Sequence, residues 1–186
     1  MDPDSFLCRL ADLFDGVVVT PPSIGAIIAI VLAVLLLFAS GFVSASEIAF
    51  FSLAPNDLND IEEENHSSDK YIKSLLKDSE RLLATILISN NFVNVTIIML
   101  CNYFFAEVID FGHSVILEFL VITVILTFLL LLFGEIIPKI YSAQHTLKFC
   151  RFAAPVIMVL KKVFSPLSAW LVKSGFFVNK LVAKKN

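Results

Sequence analysis

From Ile24 to Ala39 the chain runs sixteen residues without one polar side chain. Two further candidate spans follow, Leu82 to Phe105 and Ser114 to about Ile137; as far as Phe133 the second is interrupted only by Glu118 and two threonines. A bilayer core needs roughly 20 mostly apolar residues per crossing helix. It also accepts only helices or closed barrels, since hydrocarbon offers no partner to an unpaired N–H or C=O. These runs therefore restrict the chain to an all-α integral membrane fold. Composition agrees, with 58% hydrophobic and 17% charged residues against about 45 to 50% and 25% in soluble domains.

The organisation follows from where the apolar runs stop. Residues 1–22 carry four aspartates, one arginine and Pro21-Pro22, and read as an extracytoplasmic leader. Its acidic start is not the basic n-region of a signal peptide, so no cleavage is expected. The first span begins near Ser23, and its helix is able to continue past Ser40-Gly41 through Ala54, where Pro55 favours a stop. That is longer than a crossing needs, so its second half is expected to tilt, kink or leave the hydrocarbon. Residues 56–81 read as two short helices with a turn at 65–69; Leu58 and Ile61, then Ile72, Leu75 and Leu76, give thin apolar stripes suited to the membrane surface. Beyond Lys139, the pieces 152–160 and 163–172 are divided by Lys161-Lys162 and broken by Pro155 and Pro166. Each is too short to span, which predicts amphipathic helices forming a juxtamembrane belt. The resulting divisions are 1–22, a three-span domain at 23–145 that includes a cytoplasmic hairpin at 55–81, and 146–186 as belt and start of a linker.

Charge sets the orientation. Of the fourteen Lys and Arg, nine follow Pro138 and four lie in 56–81, while the linker from Ala106 to His113 has none. Basic loops stay cytoplasmic, which puts the N-terminus outside and the C-terminus inside. Nothing in the charge pattern points to nucleic acid. Cys8, Cys101 and Cys150 are far apart without metal-ligand spacing and read as unpaired structural thiols.

The candidate site is where polar residues interrupt the spans. Gly134-Glu135-Ile136-Ile137-Pro138-Lys139 ends the third. A charge at the edge of hydrocarbon costs roughly 2.5 to 3.5 kcal/mol on insertion scales, so Glu135 needs a partner. Pro138 has no N–H for the carbonyl four residues back, that of Gly134, and leaves a backbone oxygen free beside that carboxylate. In the first span Ser40, Ser44 and Glu47 share a face, and in the second Asn90 and Asn94 lie one turn apart with Ser89 and Asn91 adjacent. With the stated orientation all converge on the cytoplasmic half of the bilayer. Separately, each has a structural explanation. Serines bond back to the carbonyl four residues earlier, asparagines join helices, and Glu47 reaches the interface. Together they form an oxygen shell without sulfur or imidazole, suited to Mg²⁺ or Na⁺ and not to zinc or copper. One carboxylate is little charge for a dehydrated divalent ion; Glu47 or retained water would make up the difference.

The segments Phe42-Val43-Ser44-Ala45-Ser46-Glu47, Ser89-Asn90-Asn91-Phe92-Val93-Asn94 and Gly134-Glu135-Ile136-Ile137-Pro138-Lys139, in this order, resemble the transmembrane domain of the CNNM/CorC family of magnesium transporters. The resemblance is close over about 24–145 and one of character in the tail. It implies three spans with a juxtamembrane belt, a homodimer in a bacterial inner membrane, and Mg²⁺ export coupled to Na⁺ entry. It further implies Ser40, Ser44, one or two of Asn90, Asn91 and Asn94 (Asn94 and Asn91 first), the Gly134 carbonyl and Glu135 as ion ligands. Glu47, Ser46 and Pro138 are accessory or Na⁺-coupling candidates. Family members continue into a paired cystathionine-β-synthase-type nucleotide-binding domain, so the chain is expected to be a piece cut before it. The competing expectation is a membrane sensor or scaffold that binds Mg²⁺ without moving it. An intramembrane hydrolase using Ser44 lacks a base, since His66, His113 and His145 all lie outside the spans and no Gly-x-Ser-x-Gly turn occurs. No enzymatic activity is expected.

Overall fold

The computed structural model describes residues 18–110 and 115–183. Most of the leader, with Cys8, and His113 lie outside them. Helix α1 spans Ile24–Phe51, α2 Pro55–Glu62, α3 Asp69–Leu76 and α4 Ser79–Val108. After the linker, α5 (Val115–Leu129) runs into a wide π turn (Leu130–Ile136) and on into α6 (Ile137–Gln144), followed by α7 (Thr146–Val163) and α8 (Ser165–Ala183). Two short strands, β1 (Val18–Val19) and β2 (Ile109–Asp110), pair antiparallel. Among the described residues three helices are each long and apolar enough to cross a membrane, α1, α4 and the continuous helix from Glu118 to Gln144; α7 and α8 reach that length and hydropathy only as a pair, bent by 79°. The molecule is an all-α membrane domain.

Ser23 starts α1 by accepting the Ala26 N–H at 3.2 Å, which occupies one of the four otherwise unpaired donors of the first turn. The first half of α1 buries only small residues, Ala26, Ala29 and Ala33, against its neighbours and leaves Ile24, Ile28 and Leu35 exposed for lipid. Small side chains let membrane helices approach closely. From Ser40 onward α1 is enclosed on most sides, with Ser40, Gly41, Ser44, Ala45, Ala49 and Phe50 buried. The extra length of this helix is therefore taken up inside the protein. At the other end of the span, Thr20 fastens the leader to the end of α4, donating its N–H to the Val108 carbonyl at 2.8 Å and its hydroxyl to the Glu107 carbonyl at 2.7 Å.

Two expectations need correction. The apolar stripes of 56–81 do not simply face a membrane surface: Ile61, Ile72 and Leu75 are buried in one cluster with Leu82 of α4 and Cys150, Ala153, Ala154 and Ile157 of α7. Packing against α7 removes more of their surface than the interface alone would. Secondly, Pro155 does not break the belt. It sits on the exposed side inside α7, where water or headgroups can meet the carbonyl it leaves unpaired, and the break falls at Phe164, where α7 and α8 meet at 79°.

Asp69 ties the hairpin to the belt. Fully buried at the start of α3, it accepts the His66 N–H at 2.9 Å and holds Arg151 of α7 in a two-pronged pair at 2.8 and 3.1 Å. Burial alone would push its carboxyl up. The hydrogen bonds and charge of Arg151, with the His66 N–H, outweigh that and hold it below the usual range. Stability from the pair is thus complete above the unfolded value of about 4 and is lost as pH falls through the lower, folded value. Asp69→Asn leaves Arg151 without its carboxylate and should cost about 3 kcal/mol. Thermal melts in detergent at pH 7 should show a lower midpoint, with Arg151→Gln adding less on that background than alone.

Candidate functional site

Pro138 shapes the site through the backbone. In an α-helix its ring would press on the carbonyl four residues back; here the helix upstream has widened to i→i−5 bonds, the last running from the Ile137 N–H to the Leu132 carbonyl. Regular α-helix resumes at Ile137. Between these registers three carbonyls, of Phe133, Gly134 and Glu135, face the single N–H of Lys139, because Pro138 has none. At least two have no donor in the helix ladder. The α-helical expectation freed Gly134 alone; the wide turn adds Phe133, whose oxygen would lie 3.1 Å from a Cβ at Gly41.

Gly134 presses on α1 at the same level. A Cβ there would lie 3.3 Å from Ser40 Oγ, close enough to push the serine hydroxyl back by a few tenths of an ångström; glycine leaves it room against this backbone. Ser40 Oγ also lies 3.0 Å from Asn90 Oδ1 and 2.6 Å from Asn94 Oδ1 on α4. A hydroxyl has one proton to donate. With the amides turned this way, three oxygens share one hydrogen, an acceptor-rich arrangement that a cation would complete.

Ser44, one turn on, is fully buried, and its hydroxyl has no hydrogen-bond partner among the described residues. Bonding back to the helix carbonyl, the ordinary role of such residues, is taken up instead by Ser46 (to Phe42, 2.7 Å) and Ser89 (to Thr85, 2.7 Å). A buried hydroxyl without a partner costs about 1 to 3 kcal/mol, so Ser44 is an acceptor held open. Glu135 is half-buried and makes no hydrogen bond or ion pair among the described residues. Asn91 turns away, donating to its own helix at the Leu87 carbonyl at 2.9 Å. Glu47 pairs with Lys139 at 3.1 Å. No cluster of three His, Cys, Asp or Glu side chains occurs among the described residues, so any ion held here rests on neutral oxygens and very few carboxylates.

A sequence model of the cyclin M transmembrane N-terminal domain, CNNM, matches residues 31–186. The chain belongs to the CNNM family. It is 33% identical over 162 residues to a Caenorhabditis elegans protein called metal transporter cnnm-4, covering 83% of this chain and 32% of that one. To a UPF0053 protein of Haemophilus influenzae it is 31% identical over 143 residues, 76% of this chain and 32% of the other. To the UPF0053 inner membrane protein YfjD of Escherichia coli it is 28% identical over 141 residues, 73% and 30% of the two chains. The chain spans about a third of the length of these relatives.

Three contacts in this CNNM domain escape a reading of its sequence. Gly41 offers no side chain to read, yet a Cβ there would lie 2.9 Å from Pro138 Cγ; it is where α1 and the third span touch. Lys139 occupies the carboxylate of Glu47. Ser142, one turn after Pro138 on the same face, donates to the Ala45 carbonyl at 2.6 Å in a buried bond. That spacing is the one signal in the sequence that could have marked it. Together they join the second half of α1 to α6 just beyond the ion-binding candidates. Gly41→Ala forces either the Pro138 ring or the Phe133 carbonyl to shift and should destabilise by about 1 to 3 kcal/mol. Gly175→Ala in α8 meets nothing within 4 Å and should be neutral or stabilising by up to about 1 kcal/mol. Paired detergent melts of the two variants check this.

Proposed function

We propose that this domain carries a hard divalent cation, Mg²⁺, across the membrane, and that it is a carrier and not an enzyme. The observation that bears the reading is the convergence of Ser40, Asn90 and Asn94 oxygens, short of hydrogens, beside the unpartnered Ser44 hydroxyl and the donor-poor turn at Gly134-Glu135. Hydroxyls, amide oxygens, a backbone carbonyl and one carboxylate form a hard, weakly charged shell. Mg²⁺ in such a shell keeps some of its water, which lowers the cost of picking it up and letting it go. The ligands in this reading are Ser40, Ser44, Asn90, Asn94, the Gly134 carbonyl and Glu135. Asn91 is left out because its amide serves its own helix.

The fit of site to task is supported by the Caenorhabditis elegans relative, which is called a metal transporter. Na⁺ entering in exchange would supply the driving force for Mg²⁺ export. The wide turn is the natural pivot, since its backbone is already free of the α ladder, and the Glu47–Lys139 pair is the contact that would open and close beside it. We place the N-terminus outside and the belt inside by the distribution of basic residues, in a bacterial inner membrane, with two copies forming the working unit. In the longer protein a nucleotide-binding domain pair would follow the belt.

In proteoliposomes with an entrapped Mg²⁺ indicator, Glu135→Ala should lower flux to about a tenth of wild type or less, and Ser44→Ala should weaken Mg²⁺ binding about tenfold. Asn91→Ala should keep wild-type flux. Undiminished flux in Glu135→Ala overturns the assignment. Calorimetric Mg²⁺ binding by the wild type without any flux would instead support a sensor or scaffold.

A further inference from the structure

On its outer side, the contact between α1 and the third span forms the floor of a groove. A cavity of about 320 Å³ is lined by Gly41, Phe42 and Pro138 at its base and by Phe38 and Phe133 at its rim. Beside it, at the end of α6, lies a second cavity of about 400 Å³ whose lining includes His145 and Lys148. Tyr141 and Phe149 line both, so the two adjoin, the first apolar within the span and the second more polar where the span ends. Each part falls within the roughly 300 to 1,000 Å³ typical of small-ligand sites.

The charge at the mouth is uncompensated. Lys139, Arg151 and Lys161 have carboxylates at 3.1, 2.8 and 3.9 Å. Lys148, exposed, has no ion-pair partner among the described residues, and no carboxylate lines either cavity. His145 is fixed beside it by stacking on Tyr141, ring centroids 4.9 Å apart. An apolar slot that opens onto a lysine, a histidine and a tyrosine at the end of a membrane span has the polarity of one lipid molecule.

We propose that this groove binds an anionic glycerophospholipid, with an acyl chain along Phe38, Phe133 and the Gly41–Pro138 floor and the phosphate at Lys148 and His145. Charge complementarity selects an anionic headgroup over a zwitterionic one. The site does not depend on which ion the domain carries. Its floor, however, is the contact that sets the wide turn bearing Glu135, so an occupied groove braces the α1–α6 joint from the lipid side.

The test is native mass spectrometry of the delipidated protein with phosphatidylglycerol or phosphatidylcholine of identical chains. Wild type should bind phosphatidylglycerol about fivefold more tightly, the preference one lysine confers at an anionic surface. Lys148→Glu should abolish the preference, and Ile137→Trp, which fills the groove, should lower adducts of both lipids. Lys162→Glu, exposed and outside the groove, should change neither. Equal binding of the two lipids by wild type overturns the proposal. So does a preference that survives Lys148→Glu, or one lost equally in Lys162→Glu. Displacement by an equal concentration of inorganic phosphate would reduce the site to an anion contact, and lipid adducts on monomer ions with bare dimer ions would assign the groove to a second copy of the chain. Either result also overturns it.

Discussion

Within a bilayer every backbone carbonyl must find its donor inside the protein, and Pro138 withdraws one at the end of the third span. The rest of the site follows from that deficit. Widening the helix upstream relieves the proline ring but leaves three successive carbonyls to one N–H. Gly134 lets α1 approach closely enough to put Ser40 against this backbone, and Gly41 lets the Pro138 ring close on α1 one residue later. Both glycines are there for space, and neither needs an unusual backbone angle.

Hydrogen supply is short on the side-chain half as well. The Ser40 hydroxyl faces two amide oxygens, and Ser44 has no partner among the described residues while its neighbour Ser46 satisfies itself on the helix. A core built only for stability would have resolved these shortages, since each unmet polar group costs about 1 to 3 kcal/mol. Electrostatics points the same way. Of the two carboxylates near the site, Glu47 is neutralised by Lys139 and Glu135 is left without a partner among the described residues. That asymmetry restricts the fixed charge open to a cation to one carboxylate, consistent with an ion that keeps water and is released.

Much of this was legible from the sequence because it rests on length and period. The three spans follow from apolar run length, with ends off by a few residues because a helix can run past its apolar stretch: α4 extends from Ser79 to Val108, beyond the expected 82–105. The shared faces of Ser40 with Ser44, and of Asn90 with Asn94, follow from helical spacing. What was not legible depends on neighbours. Whether Pro138 breaks, kinks or widens a helix is decided by what packs against it, here Gly41. Asn91 and Asn94 look alike in sequence, but a rotation of 100° per residue sends one to its own helix and the other to Ser40. The hairpin at 56–81 carried the stripe of a surface helix, and only the tertiary fold shows that α7 covers it and that Asp69 reaches Arg151 eighty-two residues away.

The hairpin, the belt and the joint between α1 and α6 thus form one frame beside the proposed ion site, held by Asp69–Arg151, Glu47–Lys139 and Ser142–Ala45. Whether a divalent ion sits at the donor-poor turn decides the assignment of this site. A crystal structure of the protein soaked with Mn²⁺, a scattering substitute for Mg²⁺, measures this directly by anomalous difference density. A single strong peak per chain is expected at about 2 to 2.2 Å from oxygens of Ser44, Glu135 and at least one of Asn90 and Asn94. A peak at Glu47 with Lys139 displaced, or none between the three helices at saturating Mn²⁺, would contradict it.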